Sequence, residues 1–108
     1  MKVTAKSYEL RTPNGNWLGQ VVITSDGMFA GATDWGNFAY AWRGFGKDFR
    51  EFLISLNTSY FGDKMSGGFS YIAHGKNIDR GAQRFAQEIL PPLQEILKEE
   101  IKQEMLKL

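Results

Sequence analysis

Phe38-Ala39-Tyr40-Ala41-Trp42-Arg43 alternates large aromatic residues with small or charged ones. A strand of this pattern carries Phe38, Tyr40 and Trp42 on one face and Ala39, Ala41 and Arg43 on the other. Working back from it, Asp34-Trp35-Gly36-Asn37 reads as a turn, and Asp26-Gly27 separates Val21-Val22-Ile23-Thr24 from Met28-Phe29-Ala30-Gly31-Ala32-Thr33. Pro13-Asn14-Gly15-Asn16 separates a first strand, from about Lys2 to Arg11, from a second over Trp17 to Thr24. Asn-Gly and Asp-Gly supply the positive φ angles that tight hairpins need. Four strands joined in succession by short turns predict an antiparallel meander.

Working forward, Gly44 and Gly46 end the aromatic strand, and Asp48 with Glu51 three residues on has the form of a helix capping box. Phe49, Phe52, Leu53 and Leu56 recur at helical spacing, so a helix from about Asp48 to Asn57 turns one stripe to the core and leaves Asp48, Arg50 and Glu51 in water. Thr58 to Lys76 scatters Gly62, Gly67, Gly68 and Gly75 among aromatics, which predicts an irregular connection with a short strand at Phe69 to Ala73. After it, Asn77 or Asp79 is placed to cap the next helix. Ile78, Ala82, Phe85, Ile89 and Leu93 step by three or four, and Leu97, Ile101, Met105 and Leu108 extend the stripe. Pro91-Pro92 interrupts it, since each proline removes a donor and crowds the preceding turn, so the expectation is two helices of about twelve and sixteen residues, or one sharply kinked. Glu95 with Lys98 and Glu99 with Lys102 are spaced to pair on the exposed side of the second. The whole is a single α+β domain over residues 1–108, with the helices packed on one sheet face.

The composition removes many functions. The chain has 108 residues, 13 Lys+Arg, 12 Asp+Glu, one His and no Cys. A formal charge of +1 is too balanced for broad, non-specific duplex binding, and without cysteine there is no disulfide framework, thiol nucleophile or Cys/His zinc site. Asp26, Asp34, Asp48, Asp63 and Asp79 stand singly, without ligand spacing, so neither metal nor cofactor is expected. No run of 18 apolar residues and no apolar core behind Met1 leads to a membrane or export reading, which makes the host bacterial cytoplasm the expected location. His74, with Asp79 close by, is the one candidate general base. A helix entry needs an Asn or Asp there anyway, and no nucleophile accompanies the histidine, so no catalytic residue and no enzyme is expected.

Two constellations could bind. The Phe38/Tyr40/Trp42 face, near Trp35, Arg43, Lys47 and Arg50, could stack unpaired bases, each stack being worth about 1–3 kcal/mol. The plainer account is a core face beneath helices, and rings buried there would end the nucleic-acid reading. The C-terminal stripe either packs in the core or forms a self-association arm over residues 93–108, a homodimer through Leu93, Leu97, Ile101 and Met105.

The segment Asp34-Trp35-Gly36-Asn37-Phe38-Ala39-Tyr40-Ala41-Trp42-Arg43, then Phe49-Arg50-Glu51-Phe52-Leu53 and Ser59-Tyr60-Phe61-Gly62-Asp63-Lys64-Met65, resembles small accessory proteins of bacteriophages and prophages. The shared features are an acidic-aromatic-Gly-Asn turn, a Tyr-x-Trp strand and an Arg-Glu-Phe-Leu helix; Tyr60-Phe61-Gly62-Asp63 departs from the leucine-rich run expected there. The resemblance implies a phage context, with no catalytic residue to carry over. Short phage accessory proteins without an active-site pattern often bind and block a host protein, anti-CRISPR and other counter-defence factors among them; a structural phage protein is the other reading. Such a binder needs a rigid patch with a few aromatic or arginine anchors, and Trp35, Tyr40, Trp42, Arg43, Arg50 and Tyr60 are the expected stock, Trp35 first.

Overall fold

The chain, seen here as a computed structural model, is described for residues 2–67 and 76–108, the side chains of 76–79 excepted. Strands β1 (Ala5–Arg11), β2 (Trp17–Thr24), β3 (Met28–Thr33) and β4 (Gly36–Ala41) pair antiparallel in the order β1-β2-β3-β4. Gly15 and Gly27 take φ values of +86° and +100°, so the Asn-Gly and Asp-Gly turns work by the conformation their glycines allow. The register pairs Tyr8 with Val21, Val21 with Gly31, and Gly31 with Phe38, which collects these residues on one face. That face is buried.

Three helices cover it. Helix α1 (Phe49–Ser55) starts at Asp48, whose carboxylate accepts from the Arg50 amide at 2.9 Å. Helix α2 (Thr58–Gly67) occupies ground read from sequence as an irregular connection, and the glycines explain both the misreading and the structure. The Asn57 side chain accepts from the Tyr60 amide at 2.8 Å, which starts the helix, and Phe61 with Met65 four residues on supplies its buried stripe. Gly62 lies where α2 meets the next helix: a Cβ there would fall 2.5 Å from Gln83 Oε1. The short strand expected at Phe69 to Ala73, and His74 with it, lie outside the described residues.

Helix α3 (Lys76–Leu106) runs for 31 residues with Pro91 and Pro92 inside it, so the expected division into two helices is corrected. It also begins ahead of Asn77 and Asp79, which therefore fall within its first turn rather than cap it. The prolines leave the carbonyls of Gln87 and Glu88 without their usual donors, but both residues are exposed and water can serve them. Ile89, Leu90 and Leu93 around the prolines are fully buried, and that packing holds the helix through a sequence whose local preference opposes it. At the centre, Phe85 of α3 reaches Phe38 (ring centroids 4.6 Å apart), Phe29 (6.0 Å) and Phe61 (6.3 Å).

Candidate functional site

The sequence-level anchors scatter into different roles. Trp42 is 6% exposed; its ring meets Tyr40 at 4.7 Å, Phe52 at 5.8 Å and Phe61 at 6.0 Å, and its indole N–H donates to the Tyr60 hydroxyl at 3.2 Å. Phe38 is buried as well, and Tyr40 is half-buried with the Lys64 ammonium 5.5 Å from its ring centre. The Phe38/Tyr40/Trp42 face is thus the floor of the core, and a stacking platform for bases there is ruled out by the helices above it. Tyr60 keeps part of its ring in solvent, with Lys64 5.4 Å from it. Arg43 is exposed beyond β4.

Trp35 belongs to the β3–β4 turn and is half-buried, with the Arg84 guanidinium of α3 4.2 Å above its ring and its indole N–H enclosed with no acceptor among the described residues. The ring therefore spends one face on α3. The structure does not gather Trp35, Arg43 and Tyr60 with Arg50 into one patch, since Arg50 is committed elsewhere.

Arg50 is only 19% exposed at its side chain and is not the wet residue read from helical spacing. Its guanidinium donates to Asp48 at 2.9 Å, Glu100 at 2.7 Å and Glu104 at 2.6 Å, which ties the start of α1 to the end of α3. Glu100 also accepts from Lys6 at 3.0 Å and from the Tyr8 hydroxyl at 3.0 Å, so β1 joins the same network. Hydrogen bonding from Arg50 holds the Asp48 carboxyl below its ordinary range. Burial pushes Glu100 up, but bonds from Arg50, Lys6 and Tyr8 outweigh it and leave it lowered. Burial, then Glu100, raises the Tyr8 hydroxyl, so it stays a donor.

These carboxyls take up protons less readily folded than unfolded, so the stability they contribute is complete above the ordinary carboxylate range. It is lost as pH falls through that range toward their lowered values. Arg50→Met should cost about 2 kcal/mol near neutrality, a figure reduced for the partial exposure of the network. Melting temperatures between pH 7 and 3 check the sign: below pH 4.5, the ordinary glutamate value, the native protein should lose stability more steeply than the variant.

The remaining arrangement is the other face of the sheet, and no described helix lies over it. The register aligns Ser7, Val22, Ala30 and Ala39 in one row across all four strands, with Glu9, Gln20, Ala32 and Asn37 in the next. Gln20 donates across the face to the Ser7 hydroxyl at 2.9 Å, and Glu9 pairs with Arg11 at the β1 edge. Exposed Met28 opposite Ala41 continues the surface. Between Gln20, Val22, Ala30, Ala32, Asn37 and Ala39 runs a shallow groove of about 490 Å³, its lining mostly apolar. Sequence reasoning saw Ala39 and Ala41 opposite the aromatics but did not single them out. The available signal was the whole face: β3 turns Met28, Ala30 and Ala32 to solvent, where an open sheet face ordinarily carries polar residues.

Of the expected homodimer residues, Leu93 and Leu97 are fully buried within the chain, a correction that leaves Ile101 and Met105 at the surface. Glu95 and Lys98 pair at 3.2 Å as their spacing suggests, whereas Glu99 accepts from Gln103 instead of Lys102. Among the described residues no group of three or more acidic, His or Cys side chains is placed to hold a metal, and no helix is long and apolar enough to cross a membrane.

Fold and surface together define a small two-layer α+β protein with its described helices on one sheet face and none of them on the other. A phage family model, Phage_phiTE_072, matches residues 1–79, and the chain belongs to that family. The match takes in the sheet, α1 and α2 and ends in the first turn of α3. No curated protein and no solved structure matches the chain.

Proposed function

We propose that this phage protein works by stoichiometric binding in the host cytoplasm, inhibiting or modulating a host protein, with the open sheet face as its contact surface. A counter-defence factor, such as an anti-CRISPR protein, is one form of that role. The observation that carries the reading is the row Val22, Ala30 and Ala39 with the neighbouring Ala32, an apolar floor on a rigid sheet that no described helix covers. Small side chains let a partner's backbone or side chains approach closely, and exposed apolar surface of this kind marks interaction sites. The polar rim of Ser7, Glu9, Gln20 and Asn37 supplies hydrogen bonds that fix orientation without any catalytic group.

Ala39 is exposed, so Ala39→Arg can be made without disturbing the core. A long charged side chain at the centre of a contact costs at least about tenfold in affinity. In a capture experiment from host lysate, the native protein should retain one host protein in a one-to-one complex, and Ala39→Arg, melting at the same temperature, should lose it. Full retention by Ala39→Arg would remove this face as the contact surface, and no stoichiometric complex would remove the function.

A further inference from the structure

Helix α1 lies antiparallel beside the last turns of α3. Arg50 bonds to Glu100 and Glu104, while the Gln94 amide donates to the carbonyls of Leu53, Ile54 and Leu56 at 2.9, 3.2 and 2.8 Å. On the outward side of this pair runs an apolar groove of about 500 Å³, lined by Glu51 and Ile54 from α1 and by Lys98, Ile101, Lys102 and Met105 from α3. Met105 is 67% exposed and Leu106, also at the groove, 70%, far more than their neighbours Leu93 and Leu97.

One wall of the groove is acidic and the other basic. Glu51 and Lys102 have no ion-pair partner among the described residues, whereas Lys98 holds Glu95. A groove with an apolar floor, a free acid on one side and a free base on the other is complementary to itself under a two-fold rotation, which brings each residue type opposite its complement.

We infer that this groove is a two-fold interface with a second copy of the same chain. With the axis running along the groove, α3 of each copy lies over α1 of the other. Lys102 of each copy then faces Glu51 of the other, because the Arg50 contacts put Glu51 level with residues 100–104, and Ile101 and Met105 close over the apolar floor. Uniform attraction to any apolar partner would not use the opposed charges; a second copy uses both pairs at once. The patch is small beside the ~800 Å² per partner of a standard interface, so the dimer is a weak one that dissociates on dilution. It is formed on a different surface from the open sheet face, and its test does not depend on the host-binding reading.

Light scattering and sedimentation over a concentration series test it with the full chain. The mass should rise from 12.2 kDa toward twice that value with concentration. Met105→Asp, at an exposed position, should raise the dissociation constant at least about tenfold. Glu51→Lys and Lys102→Glu should each weaken the dimer by a similar factor, and the double variant Glu51→Lys/Lys102→Glu should return it to within about threefold of the native value. A mass of 12.2 kDa up to several hundred micromolar overturns the proposal. So does a dimer indifferent to Met105→Asp, or one that the exchanged pair fails to restore. Circular dichroism of each variant establishes that the fold is kept.

Discussion

A chain ended after residue 79 should show no cooperative unfolding transition and no dispersed amide spectrum. Such a chain retains all four strands, α1 and α2, but it loses Ala82, Phe85, Ala86, Ile89, Leu90, Leu93 and Leu97, each fully buried in the intact protein. Five of these are large, and at about 1.5–3 kcal/mol for burying each the loss is on the order of 7–15 kcal/mol, as large as the whole net stability of an ordinary domain. The sheet face they cover, with Leu10, Val21 and Phe29, would face water as well. Residues 1–79 are the part matched by the phage family. The shared region therefore supplies a sheet that depends, in this chain, on a helix lying almost wholly beyond it. A thermal melt of residues 1–79 with a native-like transition would mean that α2 and α1 suffice as cover.

The meander was legible because its signals are local. Asn14-Gly15 and Asp26-Gly27 select hairpin turns by backbone conformation alone, and Phe38, Tyr40 and Trp42 show a period of two without help from the rest of the chain. The helices were legible where stripe and cap agree, as at Asp48 and Phe49, and illegible where a tertiary contact reverses the local preference. Gly62 marks where Gln83 approaches α2, and nothing near it in sequence says so. Pro91 and Pro92 stay helical because Ile89, Leu90 and Leu93 are held by the sheet. The candidate surfaces follow the same division. Aromatic and arginine residues attract notice in a sequence, yet a small domain spends them on its own interior: Trp42 fills the core and Arg50 ties α1 to α3. The apolar floor of the open face consists of alanines and a valine, residues with no chemical signature, and only the strand register reveals that they are neighbours.

Phe85→Ala should destabilise the protein by about 3–5 kcal/mol, read from denaturant midpoints, because the ring stands where the sheet and two helices meet. Phe29, Phe38 and Phe61 all contact it, and beneath it the chain has Gly31, where a Cβ would fall 2.5 Å from Phe85 Cζ. Gly31 is not in the left-handed region, so its backbone would accept alanine, and in an ordinary strand the added methyl would help. Here it meets the ring, and Gly31→Ala should cost about 1–3 kcal/mol by overpacking. The two substitutions act on one space in opposite senses, a methyl added and a ring removed. Their double variant should therefore be more stable than the sum of the single effects predicts, by about 1 kcal/mol or more. Strict additivity would mean that the ring moves aside when Gly31 gains its methyl, and the close approach of α3 to β3 would then not be what demands a glycine there.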